Sequence, residues 1–360
     1  MIKTNIMNKN NNNYCIIMAG GIGSRFWPLS RTEKPKQFVD ILGVGRTFIQ
    51  MTFDRFAPFI PKENFMVVTG EVYKDLVLEQ LPELTEQQVL LEPARRNTAP
   101  CLAYAAYKLK KQNPDAVMVV TPADHLILDT ATFSEVMQEG LRHAEEHDHL
   151  LTIGITPSFP STGYGYIEVA DTDATFSKVT QFKEKPDYDT AVQFIESGNY
   201  RWNSGMFIWS VKAIDAALQQ HLPKVSELFR SANQFYYTPD EQKNVNEVFL
   251  RSKSISIDYG IMEKADNVYV RSADFGWSDL GTWTSLYEQS IKDEHDNVLS
   301  GDDILATDTD NCFVKQLNDN KRVVIDGVKD LLVVDTDDVL LICDRRDEDH
   351  VKEVIDNANK

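Results

Sequence analysis

The fold is decided by residues 14–38, which read YCIIMAGGIGSRFWPLSRTEKPKQF. An apolar run of strand length, residues 14–19, ends in Gly20 and Gly21, and a third glycine and four basic side chains follow. Glycine lets backbone N–H groups converge on an anion, because no Cβ blocks the approach. A positively charged glycine loop after a buried strand therefore predicts polyphosphate binding.

The chain around this loop is acidic. Its 360 residues hold 37 Lys and Arg against 55 Asp and Glu, a net charge of −18, which argues against nucleic acid as a partner. No apolar run approaches membrane-spanning length, and residues 1–13 are polar and lack an apolar signal core. We therefore expect a disordered lead-in and a cytoplasmic protein without a membrane partner. The four scattered cysteines favour reduced, buried thiols over disulfides or zinc.

Short apolar runs rich in β-branched residues alternate with amphipathic helical patterns in the first half. The runs are residues 65–69, 89–91, 117–121 and 150–155, and the helical patterns are residues 98–111 and 132–147. This alternation predicts a Rossmann-like, doubly wound α/β sheet. Ligands bind such sheets beyond the carboxyl ends of the strands, where the glycine loop and the TPADH stretch after the run 117–121 both lie.

The second half is less regular and its end is rich in β-strand patterns. We predict strands at residues 164–170, 178–182 and 205–210, helices at 188–197 and 211–220, and tail strands at 312–314, 323–325, 331–334 and 339–343, with a last helix at 348–359. The predicted organisation is a lead-in at 1–13, a main domain at 14–288, and a small β-rich C-terminal domain at 289–360 with a structural or assembly role.

The glycine loop matches neither of two common nucleotide-binding loops. The dinucleotide fingerprint needs a third glycine three residues after the second, but Gly23 is followed by Ser24, Arg25 and Phe26. The P-loop needs a Gly-Lys-Ser/Thr tripeptide, which the chain lacks. A tight turn with glycines for geometry alone remains an alternative, but the four basic residues favour a different kind of phosphate cradle.

Seven motifs, in order over about 270 residues, resemble those of the sugar-1-phosphate nucleotidyltransferases, and in particular of the mannose-1-phosphate guanylyltransferases. The first is GGIGSRFWPLSRTEKPKQF, residues 20–38; the others are EPARRNTAP (92–100), TPADH (121–125), TGYGYIE (162–168), FKEKP (182–186), WNSGMF (202–207) and FGWSDLGTW (275–283). The resemblance is weaker over the tail.

The resemblance implies a glycosyltransferase-A-like mixed sheet and an Mg²⁺-dependent enzyme that joins GTP and mannose 1-phosphate into GDP-mannose and pyrophosphate. It also implies short β coils of the left-handed β-helix type in the tail, and a homodimer. Longer members carry an additional isomerase domain, and this chain ends before one would fit. Only the transferase activity is therefore expected.

The resemblance also implies a set of site residues. Arg25 and Lys36 would grip the triphosphate and departing pyrophosphate, Lys185 would hold the sugar phosphate, and Asp124 and Asp279 would bind Mg²⁺, which prefers oxygen ligands. The expected nucleotide-binding residues are Ala19, Gly20, Gly21, Gly23, Ser24, Glu92, Asn97 and Thr98, and the expected sugar-binding residues are Tyr164, Gly165, Glu184 and Asn203.

Several alternatives remain open from the sequence. Asn97 and Thr98 equally suit capping of the helix that follows them. Arg31 and Lys34 suit solvated surface positions as well as phosphate contacts. The same scaffold could take another hexose 1-phosphate or nucleotide, or serve as a catalytically silent subunit that senses a nucleotide sugar. The presence of Arg25, Asp124, Lys185 and Asp279 together favours an enzyme.

Overall fold

A computed structural model describes residues 12–21, 26–318 and 320–347, together with residues 350, 353, 354 and 357. The chain forms two compact units. The first, here called the sheet unit, comprises Met1–Gly20, Ile49–Ala123 and Ile127–Trp277. The second, here called the coil unit, comprises Gly21–Phe48, Asp124–Leu126 and Ser278–Lys360. The predicted domain boundary at residues 288–289 stays a prediction, but the compact units do not follow chain order.

The sheet unit is built on a nine-stranded mixed sheet. Its strands are β1 (Asn13–Met18), β2 (Phe65–Gly70), β3 (Val89–Glu92), β4 (Val117–Pro122), β6 (Leu150–Ile155), β7 (Tyr166–Val169), β8 (Phe176–Lys183), β9 (Tyr200–Ser210) and β10 (Val268–Ala273). Their order in the sheet is β3-β2-β1-β4-β9-β6-β10-β8-β7. Strands β3, β2, β1 and β4 are parallel, whereas β9 runs antiparallel to both β4 and β6. The predicted doubly wound mixed sheet is confirmed.

The helices are α1 (Phe48–Phe56), α2 (Lys74–Gln80), α3 (Thr98–Gln112), α4 (Thr130–Glu146), α5 (Tyr188–Ser197), α6 (Val211–His221), α7 (Pro223–Ser231), α8 (Glu241–Arg251) and α9 (Trp283–Gln289).

The position of strand β1 in the sheet explains why the first apolar run has no charged side chain among its strand residues 14–18. Its residues Tyr14 and Ile16 pack in one core cluster with α3, and Cys15 and Ile17, which alternate with them along the strand, are fully buried as well. A strand buried on both faces needs apolar side chains at every position.

The parallel pairing of β1 with β4 fixes where two of the motifs begin. The backbone N–H of Ala123 donates to Met18 O at 3.0 Å, and the N–H of Ala19 donates to Val68 O at 2.8 Å. The chain therefore leaves β1, β2 and β4 at one edge of the sheet, which is the carboxyl edge. The glycine loop follows β1, and Asp124 follows β4, as the sequence predicted.

The coil unit contains two small sheets of mostly parallel strands. Its strands are β12 (Val298–Ser300), β13 (Ile304–Thr307), β14 (Phe313–Gln316), β15 (Val323–Asp326), β16 (Leu331–Asp335) and β17 (Leu340–Asp344), and two short strands, β5 (Leu126–Ile127) and β11 (Trp277–Ser278), lie at unit boundaries. Strands β12, β14 and β16 pair in parallel, β17 closes that sheet antiparallel, and β13 pairs with β15. The predicted β-rich tail is confirmed. The handedness of its coils stays a prediction, and most of the predicted last helix lies outside the described residues.

The core of the coil unit joins residues that are far apart in the chain. Phe26 packs edge-on against Trp283 at 5.0 Å between ring centroids, and Trp283 in turn packs against Phe313 at 5.5 Å. Val39, Ile41 and Phe48 belong to the same buried cluster. The segment that follows the glycine loop is thus folded onto the C-terminal coils, a packing that the sequence analysis did not anticipate.

Candidate active site

The coil unit brings together three residues that were predicted to bind phosphate or Mg²⁺, and Lys36 is the central one. It begins a short 3₁₀ turn, Lys36–Phe38, and only 4% of its surface is exposed. Its Nζ lies 3.2 Å from Asp124 Oδ2 and donates to the backbone carbonyl of Asp279 at 2.6 Å. The rings of Phe26 and Phe48 lie below it, 5.7 and 5.3 Å from Nζ to the ring centroids. One ammonium group therefore contacts both residues that were predicted to bind metal.

Asp124 is held in its charged form by this arrangement. Burial acts to raise the pKa of Asp124, but the charges of Lys36 and His125 and the hydrogen bond from Lys36 outweigh it, so the pKa lies below its usual value. The side chain nevertheless remains 38% exposed. It is therefore an ionised carboxylate that a solvent cation can reach at neutral pH.

The donor set at Asp124 and Asp279 suits Mg²⁺. Asp279 Oδ1 accepts the N–H of Gly281 at 3.0 Å, which orients this carboxylate. Within the described part of the chain, no group of three or more His, Cys, Asp or Glu side chains could hold a metal ion. Mg²⁺ does not need such a cage, because it is usually bound by one or two carboxylates together with water and substrate phosphates.

The described part of the glycine loop is anchored on both sides. Thr69 Oγ1 donates to Ala19 O at 2.9 Å in the sheet unit, and Gln37 Nε2 donates to Gly21 O at 2.9 Å in the coil unit. The predicted residues Gly23, Ser24 and Arg25 lie outside the described residues. Gln37 was not singled out from the sequence, although it belongs to the PKQF motif.

The predicted base-side residue Glu92 ends β3 in the sheet unit. Its Oε1 is buried and has no hydrogen-bond partner among the described residues. Its Oε2 would lie 3.3 Å from a Cβ added to Gly20, so a side chain at that glycine would crowd the carboxylate. Burial raises the pKa of Glu92 to about 7, against a smaller opposing effect of its hydrogen bond with Cys101. A buried oxygen without a partner is a site for a donor from a ligand.

Asn97 and Thr98 both have partners within the protein. Asn97 Oδ1 accepts the N–H of Thr98 at 2.8 Å at the start of α3, and its backbone φ is 66°. Thr98 Oγ1 accepts the N–H of Ile257 at 2.8 Å. Asn97 therefore caps α3, which is one of the alternatives left open by the sequence. Thr98 links the start of α3 to the segment that contains Ile257. Base contacts by either residue stay predictions.

Three of the residues predicted to bind the sugar lie in the sheet unit where the start of β7 meets β9, namely Tyr164, Gly165 and Asn203. The backbone N–H of Asn203 donates to Gly165 O at 2.8 Å, so β7 and β9 hold these two residues side by side. Tyr164 packs edge-on against Trp202 and Trp277 at 5.1 and 5.0 Å between centroids. This aromatic packing leaves Tyr164 partly exposed and gives it a fixed orientation.

Lys185 and Glu184 follow β8 directly and are both exposed. Lys185 makes no ion pair with any residue that the structure describes, so its ammonium is available to a ligand anion. Glu184 faces the turn that begins at Asp258. The pKa of Tyr259 in that turn is raised by partial burial and by the charge and hydrogen bond of Glu184. Asp258 and Tyr259 were missed from the sequence, although a polar pair inside the apolar run of residues 255–262 was a signal.

The sequence left open whether Arg31 and Lys34 contact phosphate or only solvent. Arg31 forms an exposed ion pair with Asp338 in the coil unit, with Nη2 2.6 Å from Oδ1, and its Nε donates to Pro28 O. Exposed pairs of this kind contribute little to stability, about 0–1 kcal/mol. Lys34 is exposed. Both side chains reach solvent, and phosphate contacts by either residue stay a prediction.

Comparison with known proteins assigns the family. The nucleotidyl transferase family matches residues 14–296, and the mannose-phosphate isomerase/GMP-like β-helix domain matches residues 302–357. Mannose-1-phosphate guanylyltransferases of Klebsiella pneumoniae and of Escherichia coli K12 are each 38% identical to this chain, over 95% of it and 73% of their own lengths. A Thermus thermophilus structure titled mannose-1-phosphate geranyltransferase superposes with a TM-score of 0.86 at 30% identity, over 97% of this chain and 100% of that one. The chain therefore belongs to the nucleotidyl transferase family, in the group that contains these mannose-1-phosphate guanylyltransferases.

Proposed function

We propose that this protein transfers the GMP group of GTP to mannose 1-phosphate and releases pyrophosphate. The observation that carries the proposal is Lys36, whose buried ammonium contacts the Asp124 carboxylate and the backbone of Asp279. Phosphoryl-type transfer needs this combination of fixed cation and carboxylates more than it needs a nucleophilic side chain. The relatives at 38% identity support the choice of GTP and mannose 1-phosphate.

The reaction forms one P–O bond and breaks another. An oxygen of the sugar phosphate attacks the α-phosphorus of GTP in line, and the bond to the β-phosphate oxygen breaks, so the electron pair leaves with pyrophosphate. A phosphate monoester is already a nucleophile at neutral pH, so no side chain has to remove a proton. The chain must instead align two anions and offset their repulsion.

The basic residues supply that alignment. Lys36 supplies a fixed positive charge to the triphosphate, and the predicted partner Arg25 would add a planar fork of donors. Lys185 holds the phosphate of the incoming sugar, because its exposed ammonium is not engaged by an acid of the described chain. Asp124 and Asp279 would hold Mg²⁺, which neutralises phosphate charge when it is bound.

The base and sugar are recognised by residues of the sheet unit. Guanine presents N1–H and N2–H₂ donors, and the buried Oε1 of Glu92 is an acceptor in need of a donor. Glu184, Asn203 and the backbone around Gly165 bind hydroxyl groups of the hexose. A carboxylate and an amide suit hydroxyls, since each hydroxyl both donates and accepts.

A turnover matrix tests the proposal. Release of pyrophosphate is measured for GTP, ATP, UTP and dTTP against mannose 1-phosphate, glucose 1-phosphate and galactose 1-phosphate. GTP with mannose 1-phosphate is expected to give the highest kcat/KM. A preference for UTP or dTTP would overturn the base assignment, a preference for another hexose would overturn the sugar assignment, and no turnover of any pair would favour a nucleotide-sugar sensor.

The metal site has its own test. Asp124→Ala and Asp279→Ala are each expected to abolish Mg²⁺-dependent turnover while the protein stays folded by circular dichroism, because each removes an oxygen ligand. Loss of one catalytic carboxylate–metal contact typically costs several kcal/mol of transition-state stabilisation, which is roughly a thousandfold or more in rate. Asp338→Ala, which breaks only the exposed pair with Arg31, is the control. Near-wild-type pyrophosphate release by either ligand variant would contradict the assignment.

Two further expectations accompany the proposal. The predicted homodimer is tested by sedimentation of the full chain. No helix of the described residues has both the length and the apolar character that crossing a membrane requires, and the cytoplasmic location stays a prediction.

A further inference from the structure

The turn Asp258–Met262 takes no part in the function proposed above, yet it is unusual. It is a single π-helical turn with three buried residues, Gly260, Ile261 and Met262. Turns of this kind are rare and occur frequently at functional sites. Its first residue, Asp258, is half-buried and its second, Tyr259, is exposed.

Asp258 fixes the side chain of Asn203. Asn203 Nδ2 donates to Asp258 Oδ1 at 2.8 Å, and Asn203 Oδ1 accepts the N–H of Gly205 at 3.1 Å. Each end of the amide thus has a partner of the matching polarity, so a flipped amide would lose both hydrogen bonds. The second N–H and the second lone pair of the amide keep a defined direction. Asn203 is therefore oriented before any ligand arrives.

The second residue of the turn lies near the other carboxylate that is expected to bind the sugar. Burial raises the pKa of Tyr259, and so do the charge and hydrogen bonding of Glu184, which follows β8. Adjacent residues of one turn thus reach the two side chains expected to bind hexose hydroxyls. These contacts come from different strands, since Asn203 lies on β9.

The turn itself is anchored to the start of α3. The N–H of Ile257 donates to Thr98 Oγ1 at 2.8 Å, the N–H of Ala99 donates to Ile255 O at 3.1 Å, and the N–H of Ile255 donates to Arg96 O at 3.2 Å. Three hydrogen bonds over a few residues hold the segment that carries Asp258. A residue on an anchored segment can orient another side chain, whereas one on a free loop cannot.

We propose that Asp258 is a positioning residue for the sugar phosphate, which it affects through Asn203 rather than by touching the reacting atoms. This rests on the proposed function, because it assumes that Asn203 binds the hexose. Without Asp258 the Asn203 amide can rotate. Binding of the sugar phosphate then costs the conformational entropy of fixing the amide again.

The test separates the use of the two substrates. Asp258→Ala is expected to raise KM for mannose 1-phosphate about tenfold, the equivalent of one charged hydrogen bond, and to change KM for GTP less than about twofold. Asp258→Asn keeps an oxygen that can accept from Asn203 and is expected to restore most of the loss. Asp258→Ser, too short to reach the amide, is measured in parallel and is expected to behave as Asp258→Ala does.

Two controls make the result specific. Asp215→Ala removes a carboxylate with several hydrogen bonds on α6, and is expected to lower the unfolding temperature without changing either KM. In a double-mutant cycle, Asp258→Ala is expected to add little to Asn203→Ala, because both remove the same interaction.

Three outcomes overturn the proposal. One is an unchanged KM for mannose 1-phosphate in folded Asp258→Ala or Asp258→Ser, and another is full additivity with Asn203→Ala. The third is an equal rise in KM for GTP. Turnover of GTP with mannose 1-phosphate by the wild-type protein is measured first, so failure of the proposed function is distinguished from failure of this assignment.

Discussion

A lysine that is 96% hidden from solvent is unfavourable unless its charge has partners, and Lys36 has two, an ionised carboxylate and a backbone carbonyl. The same contacts depress the pKa of Asp124, which ensures a carboxylate at any pH near neutrality. Loss of Asp124 would leave the buried ammonium without a carboxylate, at a smaller cost in stability than in a fully buried pair because Asp124 is 38% exposed. Lys36 is thus structural and functional at once.

The pKa of Glu92 is shifted in the opposite direction, upward, so the role of this residue can be tested by varying the pH. Its pKa of about 7 in the folded chain exceeds the value near 4.3 expected when unfolded, because burial disfavours the charged form. The protonated form is therefore the one that stabilises the fold. That stabilisation is complete below about pH 4 and is lost as the pH rises through about 7.

Glu92→Gln is accordingly expected to gain stability of about 2–3 kcal/mol over the wild type at pH 8 and none at pH 4, measured by urea unfolding. The same variant is expected to raise KM for GTP, because an amide offers one acceptor where guanine needs two. In the wild type, KM for GTP should rise as the pH falls below about 7. A flat profile in that range would argue against contact between Glu92 and guanine.

Lys185 differs from Lys36 in being exposed and without an acidic partner in the described chain. Lys185→Ala is expected to raise KM for mannose 1-phosphate by roughly ten- to a hundredfold, the effect of losing one charged contact, with GTP binding by calorimetry unchanged. Lys178→Ala, which removes an exposed lysine of β8, the strand that precedes Lys185, provides the control. Equal loss of GTP binding in Lys185→Ala would contradict the role.

At the scale of elements, the sequence predicted best those strands that are buried on both faces. The run ending at Ile155 and the helix Tyr188–Ser197 have the predicted bounds, and the strands at 65–69 and 117–121 extend by one residue. The sequence did not predict elements whose apolar and polar residues follow no clear period, including α1, α2, β10 and the helices α7 to α9. Strand β10 alternates buried and partly exposed residues, so its apolar signal is diluted.

Strand β9 shows what a local pattern cannot reveal. Only its last six residues, 205–210, were predicted, but it runs from Tyr200 to Ser210 through Gly205, whose φ is +69°. The pairing of β9 with β6 shifts register between Thr152 and Gly154, opposite this region. Asn203 pairs with Gly154 at this irregularity, and its side chain donates to Asp258. The irregularity depends on the neighbouring strand and so has no signature in the β9 sequence itself.

Gly205→Ala is expected to lower the free energy of unfolding by about 1–2 kcal/mol, because a side chain is strained at positive φ. It is also expected to raise KM for mannose 1-phosphate, since the Gly205 N–H orients the amide of Asn203. Gly198→Ala is the matched control, with a φ of +75° at the end of α5 and open space around it. Both variants should lose similar stability in chemical unfolding. An unchanged KM in Gly205→Ala would contradict the role of the bend.

At the scale of the whole molecule, the sequence predicted the kinds of structure but not how the chain is divided. Local patterns separated an α/β region from a β-rich tail correctly. They could not show that residues 21–48 pack with the tail, because Phe26 and Trp283 are brought together only by tertiary contacts. Lys36, Asp124 and Asp279 consequently all belong to the coil unit, together with the C-terminal strands, for which we had expected only a structural or assembly role.

A chain that ends at residue 288 is therefore expected to lose turnover and not merely to change its oligomeric state. It would lack Phe313, Leu332 and Val334, which cover the segment that carries Lys36. The measurements are pyrophosphate release, circular dichroism and sedimentation. Full-length protein with Ile342→Ser, a substitution at an exposed position of β17, is the control and should remain active. Turnover by the shortened chain within about threefold of wild type, an energetic difference under 1 kcal/mol, would contradict this dependence.

The division of the coil unit among distant segments also has a consequence for biosynthesis. The segment that ends at Phe48 leaves the ribosome more than 200 residues before Ser278, the first residue of its largest packing partner. At about 5–20 residues per second, the nascent chain holds Phe26 and Ile41 without their final neighbours for roughly 10–50 s. During that interval these side chains are candidates for chaperone binding, and the cation and carboxylates remain unassembled. A translating ribosome would thus carry an inactive protein until the last coils have emerged.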